Sequence, residues 1–314
     1  MKINSVAVLG AGAVGAYFVY GLADKKDIDF CVVAKGERKE RLEKCGITVD
    51  DKKQTRVFYP AIKTPEEAHG VDLLLVAVKY TGLDAALEDI RAIAAPNTIV
   101  MSLLNGVDSE EKIGTVIDPA QILYSLMRIG SERKVKDDGS SVVTFDPTLG
   151  WGVYLGEKGS PEKSGRVIAV EELLKDTPCN TYFMEDIVLD QWNKYISNIC
   201  FNIPQAVLGL PFGAYRDSEH LEYIRRKLYE ESSSVAAAYG ITVEDPAKKW
   251  GKVVPSARFS TLQDLDAGRH TEIDMFAGVL IDKAREKGIS VPFAEYSYHA
   301  IKALEEKNDG KFTY

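Results

Sequence analysis

The sequence predicts an α/β architecture: a doubly wound parallel sheet at the N-terminus, followed by a C-terminal domain made of helices alone. Three observations predict it. Short apolar runs alternate with helical periodicity through the first third of the chain. The strongest of these runs, Val71–Val78 (VDLLLVAV), is apolar at nearly every position, as a strand covered on both faces must be. Beyond about Glu185, helix periodicity takes over, broken at Pro204, Pro211, Pro246, Pro255 and Pro292. A chain of 314 residues exceeds one comfortable core, and the expected domains are residues 1–185 and 186–314.

Taken in order, Ile3–Leu9 reads as a buried strand ending in glycine, and Val14–Ala23 as a helix stopping near Asp24-Lys25-Lys26. Asp29–Ala34 (DFCVVA) is a second strand, and Arg38–Lys44 a charged helix closed by Gly46. After Val71–Val78 come an amphipathic helix, Leu83–Ala94, and a strand, Thr98–Leu103. From Ile122 to Leu155 strand-like runs are separated by Gly, Asp and Pro turns, which suggests an antiparallel extension of the same sheet.

Composition narrows the function. The net charge of −8, without any Lys/Arg-rich run, argues against nucleic acid as a partner. Cys31, Cys45, Cys179 and Cys200 lack paired spacing and read as free thiols of a reducing compartment. His69, His220, His270 and His299 are equally scattered, so no metal is expected. Val6–Ala23 is uncharged and preceded by Lys2, in outline a signal peptide or membrane span, but Gly10, Gly12, Gly15 and Gly21 interrupt it. A cytoplasmic protein with no membrane partner is the expectation.

Gly10-Ala11-Gly12-Ala13-Val14-Gly15 matches GxGxxG between the first strand and the first helix. In that setting the first glycine permits a tight turn, the second admits a pyrophosphate, and the third lets helix and strand pack closely. The helix N-terminus attracts the negative charge. Gly10, Gly12, Ala13, Val14 and Gly15 are therefore candidate dinucleotide contacts in a Rossmann-type domain. NAD binders usually end the second strand in an acid, whereas this chain has Lys35, with Arg38 nearby. A cationic pair suits a 2′-phosphate and favours NADP; Glu37 opposes the inference, and solvated surface charge is the alternative. Lys79 and Asn105 follow two further strands, at the edge where such sheets bind ligands.

In the helical half, Lys194, Asn198 and Asn202 are spaced i, i+4, i+8 on a helix expected to end at Pro204. They form a polar stripe beside Trp192, Ile196, Ile199 and Ile203, and must either meet water or find hydrogen bonds. A second cluster runs from Arg258 to Asp264, followed by His270-Thr271-Glu272-Ile273-Asp274. Thr271 and Asp274 have capping spacing for a helix running to about Lys287, with Glu272 in its first turn.

These segments together resemble the ketopantoate reductase (2-dehydropantoate 2-reductase) family. GAGAVG, AKGER, VAVKYTGLDAAL and LNGVDSEE are similar to its cofactor half, and WNKYISNICFN and FSTLQDLDAGRHTEID to its substrate half, in the same order over nearly the whole chain. The resemblance implies NADPH-dependent reduction of 2-dehydropantoate to (R)-pantoate, a step towards pantothenate and coenzyme A. It assigns Lys194 as the catalytic lysine and Glu272 as the glutamate that positions lysine and substrate, also beside the cofactor. Asn198, Asn202 and Ser260 fall on substrate-binding positions, Asn105 beside nicotinamide and substrate, and Lys79 and Lys35 on cofactor contacts. Departures are Ala277, where asparagine is common, and Val107-Asp108 after Asn105-Gly106. The expected partner is a small 2-oxo acid, and a homodimer is left open. The alternatives are reduction of another 2-oxo acid on the same scaffold, or a non-catalytic NADP-binding sensor.

Overall fold

A computed structural model describes residues 1–135, 140–249 and 253–312. The chain divides into two compact units, Met1–Val188 and Leu189–Tyr314, the division falling in the first turn of a long helix.

The first unit contains, in order, β1 (Ser5–Leu9), α1 (Ala13–Leu22), β2 (Asp29–Val33), α2 (Gly36–Cys45), β3 (Ile47–Asp50), β4 (Thr55–Phe58) and β5 (Ala61–Lys63). It continues with β6 (Leu73–Val76), α3 (Leu83–Ile93), β7 (Ile99–Ser102), α4 (Ser109–Ile113) and β8 (Tyr124–Met127). The remainder is β9 (Ser131–Val135), β10 (Ser141–Phe145), β11 (Gly152–Gly156), α5 (Gly165–Leu174) and β12 (Asn180–Phe183). The main sheet is wholly parallel, in the order β5-β2-β1-β6-β7. Every residue of β6 and β7 is buried, which explains the unbroken apolar run of β6 and the Ile-Val-Met start of β7. Helix α1 carries no charge and buries most of its length, whereas α2 has no buried residue and lies on the surface.

The strand order reverses direction between β1 and β6. Leu9 lies opposite both Val33 and Val76, and Val76 opposite Ser102, so the turns leaving β1, β2, β6 and β7 emerge along one edge. Such a reversal is where doubly wound sheets take ligands.

The expected antiparallel extension of this sheet is not what forms. Two further sheets do: β4-β3-β10-β9, and β12-β11-β8, and a parallel bridge from Val100 to Ile122, just ahead of β8, brings the latter against β7. Strand β10 pairs in parallel with β3, which follows α2, so the chain starts a new layer against α1. Tyr17 and Tyr20 of α1 meet Phe145 edge-on at 5.5 and 5.2 Å, sealing helix to layer. Part of the β9–β10 connection in that expectation, residues 136–139, lies outside the described residues.

The second unit is helical: α6 (Ile187–Leu208), α7 (Ala214–Asp217), α8 (Glu219–Ala238), α9 (Ser260–Asp266), α10 (Val279–Glu286) and α11 (Pro292–Asn308). Helix α6 does not end at Pro204 but continues through it for one more turn. Packing outweighs the missing N–H here: Ile203, Pro204 and Gln205 are buried, and Gln205 accepts from Phe259 N and donates to Ala257 O. Within α8, Glu231 accepts from the backbone of Phe293 and Ala294 and thereby caps α11. The Arg225 guanidinium, 1% exposed, is held by Glu222 and Asp245. Among the described residues no helix is long and apolar enough to cross a membrane.

Candidate functional site

In the first unit the site is built around the turn between β1 and α1. Gly10 leaves β1 at φ +105°, and a Cβ there would stand 2.7 Å from the Ala77 carbonyl. The turn is therefore pressed against the end of β6. A Cβ on Gly15 would fall 2.0 Å from the Gly10 oxygen, so α1 rises directly from the turn. Gly12 differs from both: a Cβ there meets nothing within 4 Å. Helix α1 starts at Ala13 with no side-chain cap and no acid in its first turn, and the Ala13 and Val14 N–H groups have no acceptor within the helix. Open space beside uncapped N–H groups at a helix N-terminus suits a phosphate, so these residues fit a dinucleotide.

Lys35 stands at the N-cap of α2, exposed, with its ammonium 2.6 Å from Asp89 on α3. It is thus committed to a carboxylate. Arg38, also exposed, has different company. Partial desolvation and then the guanidinium groups of Arg133 and Arg41 hold its pKa below the ordinary value; desolvation and Arg41 do the same to Arg133. No described carboxylate offsets this cluster. Lys79 is exposed at the start of a short turn after β6, and its ammonium has no ion-pair partner among the described residues.

Asn105 is half-buried, and Gly106 follows it at φ +95°. The loop carrying it is tied down on its far side. Asp108, 8% exposed, accepts from the Tyr80 hydroxyl at 2.5 Å, and Ser109 joins Ser102 at 2.7 Å. The departure at Val107-Asp108 is thus a loop anchor.

In the second unit, Lys194 and Asn198 are half-buried and Asn202 is buried, along one face of α6. Trp192, Tyr195, Ile196, Ile199 and Ile203 fill the remaining faces at 4% exposure or less. The stripe thus runs from half-buried at Lys194 and Asn198 to buried at Asn202. Asn202 Nδ2 reaches Ser260 Oγ at 3.5 Å, which brings two predicted substrate positions together where α9 begins.

Glu272 is half-buried just ahead of a π turn, Asp274–Gly278, that leads into α10. Of the expected cap only one half forms: the Thr271 hydroxyl accepts from the Ile273 N–H at 3.2 Å, but Asp274 does not reach back to Thr271. Thr271 directs its N–H and hydroxyl to Glu305 on α11, both at 2.7 Å, while Asp274 accepts from Tyr298 and Lys302 at 2.8 Å each. The segment around Glu272 is thus anchored to α11 on both sides. Ala277 is fully buried in the π turn.

Sequence reasoning did not single out Arg41 and Arg133, which the structure sets beside Arg38. Arg41 was open to inspection, three residues from Arg38 on the same helix; Arg133 arrives through sheet pairing, which no local pattern encodes. Among the described residues no cluster of His, Cys, Asp and Glu could hold a metal ion.

Comparison with known proteins finds matches for both units. Residues 6–152 match the model of the family described as ketopantoate reductase PanE/ApbA, and residues 186–305 match that of its C-terminal domain. The chain is 27% identical to a 2-dehydropantoate 2-reductase of Archaeoglobus fulgidus over 97% of its own length and 99% of the relative's. A PanE/ApbA family ketopantoate reductase from Ralstonia eutropha superposes with a TM-score of 0.78 at 23% identity, covering 97% and 99% of the two chains. D-mandelate dehydrogenase with NADH and anilino(oxo)acetate gives 0.79 at 19% identity, with the same coverage. A dimeric ketopantoate reductase from Staphylococcus aureus gives 0.75 at 19% identity, again covering 97% and 99%. An N-terminal Rossmann-type sheet and a helical second unit, with these matches over both, make the chain a member of the ketopantoate reductase PanE/ApbA family of oxidoreductases.

Proposed function

We propose that this protein reduces 2-dehydropantoate to (R)-pantoate with NADPH, the unit 1–185 holding the cofactor and 186–314 the substrate and acid. The observation that carries the reading is the stripe of Lys194, Asn198 and Asn202, half-buried to buried beside apolar residues of α6 and joined to Ser260 through Asn202. A carboxylate-bearing oxo acid offers acceptors that suit the ammonium and amides along this stripe. Gly10, Gly12, Ala13, Val14 and Gly15, with Lys79 and Asn105, would hold the dinucleotide, which would supply the hydride. Lys194 stabilises the charge developing on the substrate's carbonyl oxygen and gives it a proton. Glu272 orients that ammonium, and Asn198, Asn202 and Ser260 fix the carboxylate and hydroxyl.

NADPH is preferred in this reading because of Arg38, Arg41 and Arg133, a positive cluster beginning one turn beyond Lys35. Lys35 contributes if the 2′-phosphate displaces Asp89. A homodimer goes with this reading, supported by the dimeric relative from Staphylococcus aureus. So does a cytoplasmic setting, supported by four free cysteines.

A second reading is supported by the similarity to D-mandelate dehydrogenase and by Ala277: reduction of a different 2-oxo acid. Steady-state turnover of a panel of 2-oxo acids, 2-dehydropantoate included, with NADPH against NADH distinguishes the two. Lys194→Ala is expected to lower kcat by about 10²–10⁴-fold while NADPH still binds. Undiminished turnover in that variant would remove Lys194 as the acid, and tight NADPH binding with no turnover of any oxo acid would favour a sensor.

A further inference from the structure

Lys194 and Glu272 sit on different segments of the second unit, and a reaction that uses both needs those segments held in register. Glu272 lies between Thr271 and Asp274, which are fastened to α11. Neither bond leads to α6, where Lys194 resides. Tyr195, the residue after Lys194, does provide such a link.

The Tyr195 side chain is 1% exposed, and its hydroxyl donates to the Phe276 carbonyl at 2.5 Å. Phe276 is inside the π turn. There the Val279 N–H reaches back five residues to Asp274 O and three to Phe276 O, in place of regular four-residue spacing. The Tyr195 hydroxyl therefore closes on a carbonyl in the one widened turn that adjoins Glu272. Its ring is fixed as well, edge-on to Trp192 at 5.8 Å and tilted against Phe276 at 6.5 Å.

We infer that Tyr195 is a positioning residue: its hydroxyl, bonded to the Phe276 carbonyl, sets the spacing between the lysine turn of α6 and the π turn that follows Glu272. This rests on the reading of Lys194 and Glu272 as the reacting pair. An apolar residue would fill the same buried volume but could not make this bond. Removing it leaves both reacting groups in place and loosens only their mutual placement, and an error of about 1 Å in such a placement can cost on the order of 100-fold in rate.

The test is Tyr195→Phe, which keeps the ring. Melting temperature, kcat, the KM for NADPH and the solvent deuterium isotope effect on kcat are measured with the oxo acid that the native protein turns over best. A fall in kcat of roughly 10- to 100-fold, an unchanged KM for NADPH and a larger isotope effect support the inference, because proton delivery has become limiting. Unchanged kcat overturns it. So does a lower kcat with an unchanged isotope effect, which signals loss of folded enzyme. Should neither Tyr195→Phe nor Tyr195→Met fold, the hydroxyl is structural and the inference falls. Lys194→Ala separates this failure from that of the underlying reading: if it is inactive while Tyr195→Phe is unimpaired, only the positioning role is lost. Full activity of Lys194→Ala, or a native protein inert towards every oxo acid, overturns both.

Discussion

Replacing Gly12 by valine should separate folding from cofactor binding. Gly12 has φ −86° and ψ −160°, extended values open to a β-branched residue, and its Cβ position faces nothing within 4 Å. The free chain should tolerate the change, or gain about 0.4–1 kcal/mol from a less flexible unfolded state. A dinucleotide phosphate drawn to the α1 N-terminus would meet the new methyl groups. Loss of one hydrogen bond to a charged group costs about 1.5–3 kcal/mol, or roughly 10- to 100-fold in Kd. Gly10→Ala is the contrasting control. At φ +105° and 2.7 Å from the Ala77 backbone, its Cβ should strain the fold by about 1–3 kcal/mol and lower the melting temperature before any ligand is added. NADPH fluorescence titration gives the affinities, and thermal melts of the free proteins give the stabilities. Native-like NADPH affinity in a stable Gly12→Val protein would refute the assignment of that space to the phosphates.

Two further outcomes are expected. Arg38→Glu with Arg41→Glu should weaken NADPH binding by about tenfold or more and leave NADH nearly unchanged, because only NADPH carries the 2′-phosphate; parallel losses for both cofactors would remove the arginine cluster from specificity. Asp51 bears on acid stability. The Gln54 N–H foremost, then the Lys53 N–H and the Tyr20 hydroxyl, outweigh burial and hold its carboxyl below the ordinary 3.8. Its folded value is depressed, so its stabilising contribution is complete above pH 3.8 and fades as pH falls through the folded value. Melting temperatures of the native protein and Asp51→Asn should therefore converge on acidification below that pH, and a gap independent of pH would contradict the assignment.

The parts of the fold legible in the sequence are those with a local cause. β6 announces itself because burial on both faces demands four successive apolar residues, and the glycine turn because its spacing is set by backbone contacts. The layer β4-β3-β10-β9 was not legible as a separate sheet. Its strands are short and partly exposed, and the pairing of Thr48 with Val142 joins segments far apart in sequence. Pro204 misled because helix propensity is weaker than the packing around Gln205. At the candidate site, the face shared by Lys194, Asn198 and Asn202 followed from helical spacing alone, whereas the meeting of Asn202 with Ser260 needed tertiary structure. A π turn leaves no compositional mark, so the environment of Glu272 was the least readable part.

That turn also frees two directions from one another. In an unbroken α-helix each residue's heading follows from the last by about 100°, so aiming Glu272 would dictate which side of α10 faces inward. Across Asp274–Gly278 this phase relation slips, and α10 can bury Val279, Leu280, Lys283 and Ala284 without turning Glu272 along with them. Over evolutionary time the length of this stretch should accordingly be guarded more strictly than its side chains, because one deletion would rotate the acid away while leaving every neighbouring residue type intact.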